Sequence, residues 1–313
     1  MARAGIAISA NFGKLLEPGL RRIYTDQYEA LPEMRPLLFN VQAADTSYER
    51  DSSVGSFSDM EVFKGTIQYD DVEQGFEVTY RHVQLSKGFR VERQLFDDDL
   101  YNVIARKPRG LAIAANRTFE KYAATVFNQA FSGTGTIVVD GITILNNTEG
   151  VCLCSASHPY SPSNASVQSN LGTSALSPAA VEATRIAMAK MKDDRANLIS
   201  LQPDLILVPR ALEEVAWEII ASKGKVDSAE NNANFHFGKY KLAVWDYLSD
   251  TNNWFMIDQT MMRMYLNWFD RIPLEFFQDK DFDTLISKFA NYARCSYGWS
   301  DWRWVYGQQV AGA

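Results

Sequence analysis

The sequence is short of the residues that most chemistry needs. Three histidines, His82, His158 and His236, and three cysteines, Cys152, Cys154 and Cys295, are spread over 313 residues. Three thiols cannot build a disulfide framework, and their number fits a reducing compartment. No apolar run approaches the roughly 18 residues that cross a bilayer, so no membrane partner is expected. The opening MARAGIAISANFGK has too short an apolar stretch for a secretory leader, and Asn11 and Lys14 interrupt it. Synthesis in the cytoplasm is the expectation. Gly133-Thr134-Gly135 lacks the rest of a phosphate-cradling loop. No GxSxG nucleophile elbow occurs. An excess of positive charge is missing too: a net charge of −7 argues against a surface that binds nucleic acid everywhere.

What remains is an ordinary globular composition, 46% hydrophobic and 22% charged. It suffices for one large or two ordinary domains with a sizeable core. Residues 1 to about 50 show weak periodicity. Pro18, Pro32 and Pro36 divide two short helical patterns, Phe12 to Leu20 and Ile23 to Ala30. This stretch reads equally as an arm that packs on another body or as a first helical layer.

From residue 51 the period changes to that of strands. Met60–Phe63, Gly65–Tyr69, Phe76–Tyr80 and Phe89–Arg93 each largely alternate apolar with polar. The segment Asp70 to Gly75 predicts a hairpin turn, and Ser86-Lys87-Gly88 a second one. One face of this ribbon is polar and the other is thin. Such a hairpin is marginal alone and needs a neighbour to lie on.

Asp97-Asp98-Asp99 then opens a long helix, where negative charge suits the helix dipole. Apolar residues recur at Leu100, Ile104, Leu111, Ala115, Phe119, Tyr122, Val126, Phe127 and Phe131, one buried stripe. Pro108 and Gly110 predict a bend, or a division into two helices. Gly133 to Leu145 reads as strands around the turn Asp140-Gly141. The long loop 146–177 and the polar loop 224–234 lack periodicity and are expected to be loosely held. Ser177-Pro178 caps a helix with Ala180, Val181, Ala187, Met188 and Met191 on its buried face. A second block follows: a strand at Leu205–Val208, a helix at Ala211–Ser222, and strands at Tyr240–Tyr247, Trp254–Ile257 and Met262–Trp268. The end, Phe282 to Tyr306, is extended and rich in aromatics.

Candidate chemistry is sparse. Cys152, Cys154 and His158 supply three metal ligands without the fourth of a structural zinc site. They also read as two small buried residues and a turn histidine, or as a Cys/His catalytic pair. Asp97 to Asp99, and Asp279, Asp281 and Asp283, read as a solvated acidic surface or a cation site without a calcium-loop pattern. Arg106, Lys107, Arg109, Arg117 and Lys121 lie on one helix, as a solvated, inter-subunit or DNA-facing side.

The order of several weak motifs is more specific than any one of them. Asp97-Asp98-Asp99 is followed by Ser155-Ala156-Ser157-His158-Pro159, Asn170-Leu171 and Met191-Lys192-Asp193-Asp194. Then come Pro203 to Pro209, Leu212-Glu213-Glu214-Val215-Ala216, Asn231-Asn232-Ala233-Asn234, Leu248-Ser249-Asp250 and Trp254. Over residues 50 to 310 this order resembles the Mu-like major head subunit family of tailed-phage major capsid proteins. The resemblance implies the α+β tailed-phage major capsid fold. Its parts would be an N-terminal arm (1–50), an extended β-hairpin loop (51–96), a peripheral domain with the spine helix (97–200 and 271–313) and an axial domain (201–270). It implies a shell of hexamers and pentamers, an icosahedral head enclosing phage double-stranded DNA held without sequence specificity. A separate scaffold, a portal and decoration proteins would be the other partners. Phe63, Ile67, Tyr69, Phe76, Val78 and Tyr80 would make inter-subunit contacts, and Asn231, Asn232 and Asn234 would sit in a loop at the axis. The family implies no catalytic residue, no metal and no cofactor. The competing readings are an encapsulin-like compartment of the same fold and a hydrolase using Cys154 and His158.

Overall fold

A computed structural model of the chain describes residues 13–67, 69–97, 103–224, 233–281 and 283–311. Helix α1 (Gly13–Glu29) runs on through Pro18, where the sequence predicts a break. An interior proline removes one helical hydrogen bond. Packing offsets that loss, because Leu20 and Tyr24 are buried in a cluster with Ile104, Leu111 and Phe276. The short helix α2 (Arg35–Leu38) and strand β1 (Asn40–Ala43) follow.

Strands β2 (Tyr48–Val54) and β3 (Gln74–Arg81) pair antiparallel, from Tyr48 opposite Arg81 to Val54 opposite Gln74. Residues 55–73 between them form no strand among the described residues, so those expected at Met60–Phe63 and Gly65–Tyr69 are absent. Strand β4 (Val83–Glu92) runs straight through Ser86-Lys87-Gly88, which the sequence marks as a turn. Gly88 serves close packing instead. A Cβ there would lie 2.6 Å from the Phe289 carbonyl of the neighbouring strand.

Helix α3 (Arg93–Asp97) precedes the spine helix α4 (Val103–Asn128). Asp98, Asp99 and Leu100, expected to open that helix, lie outside the described residues. With 26 residues, α4 is about 39 Å long at ~1.5 Å per residue. Pro108 lies inside it and does not divide it. The stripe continues on both sides of the proline, and Ile104, Leu111, Phe119, Val126 and Phe127 are all buried. Strands β5 (Thr136–Val139) and β6 (Ile142–Asn147) close around Asp140 and Gly141. Both residues have positive φ, 50° and 78°, as a two-residue hairpin turn requires.

The loop after β6 holds three two-residue strands, β7 (His158–Pro159), β8 (Val167–Gln168) and β9 (Leu171–Gly172). Helix α5 (Pro178–Ala189) begins as expected, with the Ser177 hydroxyl accepting from the Ala180 amide at 3.2 Å. Strand β10 (Leu205–Val208) is buried along its whole length. Helix α6 (Glu213–Ala221), strand β11 (Lys241–Val244) and strand β12 (Trp254–Ile257) come next. The strand expected from Met262 begins four residues later. The Asp258 carboxylate accepts from the Thr260 and Met261 amides and starts helix α7 (Gln259–Tyr265) instead. The chain ends in two long strands, β13 (Leu266–Lys280) and β14 (Ile286–Trp299), and in β15 (Val305–Gln308).

Three sheets of four or five strands result, beside the two-stranded pair β7-β8. One has the order β1-β13-β14-β4, the second β11-β10-β12-β15-β9, the third β2-β3-β6-β5. The spine helix joins them. Phe119 meets Trp268 of β13 edge-on at 6.0 Å. Eight residues on, Phe127 meets Phe255 of β12 at 5.3 Å, and Trp245 and Trp304 at 5.9 and 6.2 Å. Five tryptophans, Trp245, Trp254, Trp268, Trp299 and Trp304, are wholly enclosed. Phe127→Ala should therefore cost about 4 kcal/mol in denaturant unfolding. Ile113→Ala on the exposed side of the same helix should cost under about 0.5 kcal/mol.

Candidate assembly surfaces

The loop that closes the β2–β3 hairpin is apolar and exposed. Phe57, Met60, Val62, Phe63, Ile67 and Tyr69 all face solvent; Met60 is fully accessible and Tyr69 is 90% exposed. Six large apolar side chains in one surface segment make a patch that soluble monomers rarely carry. Three of the residues expected at an interface, Phe63, Ile67 and Tyr69, belong to it. The other three do not. Val78 and Tyr80 are buried in this chain's own core, and Phe76 is half-buried. The alternation of β3 is real, but its apolar side faces inward. Tyr80, for example, meets the Phe269 ring at 5.0 Å.

The root of the loop is fastened to the turn that follows α5 and to the loop 146–177. The Asp194 carboxylate accepts from the Ser56 amide at 3.0 Å and from its hydroxyl at 2.5 Å. Arg195 pairs with Asp70 at 3.1 Å and donates to the Asp71 carbonyl at 2.9 Å. Glu73 accepts from the Ser163 hydroxyl. Burial opposes ionisation of Asp194, but the Ser56 hydroxyl and amide outweigh it and hold the carboxyl below its ordinary value. The Ser58 amide lowers Asp70 likewise, aided by Arg195.

The loop 146–177 is held by a buried polar network rather than loosely, against the expectation from its sequence. The wholly buried His158 places Nδ1 2.7 Å from the Glu149 carboxylate and Nε2 3.1 Å from the Asn170 Oδ1. Its ring stacks on Trp302 with centroids 3.9 Å apart. Asn170, also wholly buried, donates to the carbonyls of Leu153 at 2.8 Å and Val305 at 3.1 Å. Its Oδ1 further accepts from the Ser155 amide at 2.8 Å. Those bonds fix the amide orientation, with the Asn170 oxygen turned toward His158 Nε2. One side chain thus ties β9 to the turn before β7 and to β15.

Residues 76–307, well over half of the chain, match the family model described as phage capsid protein. The chain belongs to the phage capsid protein family. Solved structures agree on the fold. The capsid of bacteriophage JBD30 superposes with a TM-score of 0.53 at 13% identity, over 70% of this chain and 92% of that one. The JBD30 procapsid gives 0.56 at 12% identity, over 98% and 77%. The structure described as Mycobacterium phage Patience gives 0.55 at 12% identity, over 100% and 90%. No curated protein matches this sequence. The protein is a major capsid shell subunit of the virion, with the tailed-phage capsid fold.

Cys154, His158 and Asn234 are committed to structural contacts in this capsid subunit. Cys154 is buried with its amide bonded to the Ala130 carbonyl, and burial pushes its thiol well above the ordinary range. Burial also raises Cys152. A thiol kept protonated is a poor nucleophile and a poor metal ligand. Both nitrogens of His158 are engaged, so the three residues do not converge as a site. Among the described residues no group of histidine, cysteine and carboxylate side chains is arranged to hold a metal. Asn234 is also committed. It donates to the carbonyls of Ile219 at 2.7 Å and Ser222 at 2.9 Å, closing the end of α6. Asn231 and Asn232 lie outside the described residues.

Two outcomes follow from this geometry. Asn170→Ala leaves two buried carbonyls, the Ser155 amide and His158 Nε2 without that partner, and should cost about 3 kcal/mol in urea unfolding. The clasp at the loop root should loosen in acid. A depressed aspartate stabilises the folded form fully above its unfolded value and ceases to do so as pH falls through the folded one. Hydrogen exchange of residues 56–67, corrected for intrinsic rate, should be slow at pH 6. It should accelerate once pH drops below the ordinary aspartate value of 3.8. Asp194→Asn should give the fast behaviour already at pH 6.

Proposed function

We propose that the subunit assembles as hexamers and pentamers into an icosahedral shell around double-stranded DNA, and that its hairpin tip lies on a neighbouring copy. The exposed apolar run from Phe57 to Tyr69 carries this reading. Left in water, those side chains forfeit on the order of 25 cal/mol for each Å² of apolar surface that a neighbour would cover. The hairpin strands supply the lever. Their inward residues Val78 and Tyr80 anchor in the core, and the tip stays free to reach outward.

The division into an arm (1–50), an extended loop (51–96), a peripheral domain (97–200 and 271–313) and an axial domain (201–270) belongs to the same proposal. The loop around 224–234 takes the place nearest the symmetry axis. The subunit acts through packing, without catalysis or a cofactor. Scaffold, portal and decoration proteins are its further partners. One of the solved capsids, that of bacteriophage JBD30, is described as decorated with minor capsid protein trimers.

The triple variant V62S/F63S/I67S tests the tip directly. All three side chains are exposed, so the fold should survive with an unchanged unfolding midpoint. Size-exclusion chromatography and electron microscopy should find folded subunits that no longer form shells. Normal shells from this variant would contradict the placement of the tip.

A further inference from the structure

The open side of the spine helix α4 carries a row of unpaired positive charge. Arg106, Arg109, Arg117 and Lys121 are all exposed, and their steps of three, eight and four keep them on one side of the helix. Fifteen residues at ~1.5 Å each give the row a length of about 22 Å. The one acidic residue of α4, Glu120, is turned into the core, where it accepts from the Met34 amide at 2.8 Å and the Trp245 indole at 2.7 Å. The row therefore has no counter-charge of its own.

Neighbouring β4 extends the positive surface. It is the open edge of its sheet and exposes Lys87 and Arg90, with Glu92 at its end. Lys107 reaches from α4 to the Arg90 carbonyl at 3.4 Å. Lys87 and Arg117 line one cavity of about 250 Å³ between strand and helix, with the hydroxyls of Ser86 and Thr118 in its wall.

Several other arginines of the surface are neutralised. Arg185 pairs with Glu182, Arg195 with Asp70, and Arg210 with both Glu213 and Asp246. Among the described residues, the four cations of the row take part in no ion pair. In a chain with a net charge of −7, this separation of charge directs a polyanion to one face.

We propose that this row binds the phosphate backbone of duplex DNA, and that α4 turns its open side toward the genome inside the shell. The inference rests on the reading that the shell encloses double-stranded DNA. A row of guanidinium and ammonium groups along one side of a helix suits the charged backbone of a polyanion. No groups are arrayed to read base edges, so binding is independent of sequence. Four phosphate contacts give weak, salt-sensitive attachment, which holds DNA near the wall without trapping it.

The test uses the purified subunit, its assembled shells and a 30-base-pair duplex. With four contacts, affinity should fall about 150-fold between 50 and 200 mM salt, and R106Q/R109Q/R117Q/K121Q should remove most of both the affinity and the salt dependence. The double variant R117Q/K121Q should fall about 12-fold over the same range. An unchanged salt slope in the folded variants would overturn the proposal. So would tighter binding of the wild type to polyglutamate than to the duplex, which would assign the row to an acidic protein. Shell formation is followed in parallel by electron microscopy. Wild-type subunits that form shells but do not bind duplex DNA refute this inference alone, whereas failure to form shells at all refutes the capsid assembly on which it rests.

Discussion

Everything in this subunit depends on burying the apolar stripe of one helix under several sheets at once. Spine helix α4 places Phe119 against Trp268 and Phe127 against Phe255 and Trp304, so one rigid rod carries the packing of two sheets. Aromatic side chains bury large areas and interlock edge to face. That explains why five tryptophans are enclosed and why Pro108 is tolerated inside the rod. Glu120 sits on the same stripe. Burial raises its carboxyl, yet it is satisfied by the Met34 amide at 2.8 Å and the Trp245 indole. The helix thus also fixes the chain segment that leads into β1.

A core of that extent lets the subunit carry an unsatisfied surface. The β2–β3 hairpin roots Val78 and Tyr80 in the core and lifts the tip away, where six apolar side chains meet water. The clasp of Asp194 and Arg195 on Ser56, Asp70 and Asp71 sets where the tip leaves the body. Each of its bonds is exposed or half-buried and individually weak. The root is therefore positioned without being locked, which suits a segment that must adapt to a neighbour.

Much of this was legible in the sequence, for identifiable reasons. The stripe of α4, the Ser177 cap, the Asp140-Gly141 turn and the buried strand Leu205–Val208 are local signals, and the structure reproduces them. The misreadings are of another kind. The alternation at Phe76 to Tyr80 marks a strand but does not say which side is covered, and the structure turns Val78 and Tyr80 inward. Ser86-Lys87-Gly88 has turn composition, but Gly88 answers to a strand 200 residues away. The loop 146–177 has no periodicity because it is held by single side chains. Asn170 bonds to Leu153 and Val305, contacts that no local pattern encodes. The motifs Ser155 to Pro159 and Asn170-Leu171 carried the family resemblance, yet their physical role, the His158–Glu149–Asn170 network, became visible only in three dimensions. The resemblance pointed to the family, whereas local periodicity alone left several folds open.

The most direct measurement of the central claim is site-specific photo-cross-linking from position 63 in intact particles. A photoreactive side chain replacing Phe63 should join two different copies of the chain, with the second attachment on a neighbour's body. Cross-links confined to the same polypeptide, or to solvent, in particles that are otherwise complete would contradict the account.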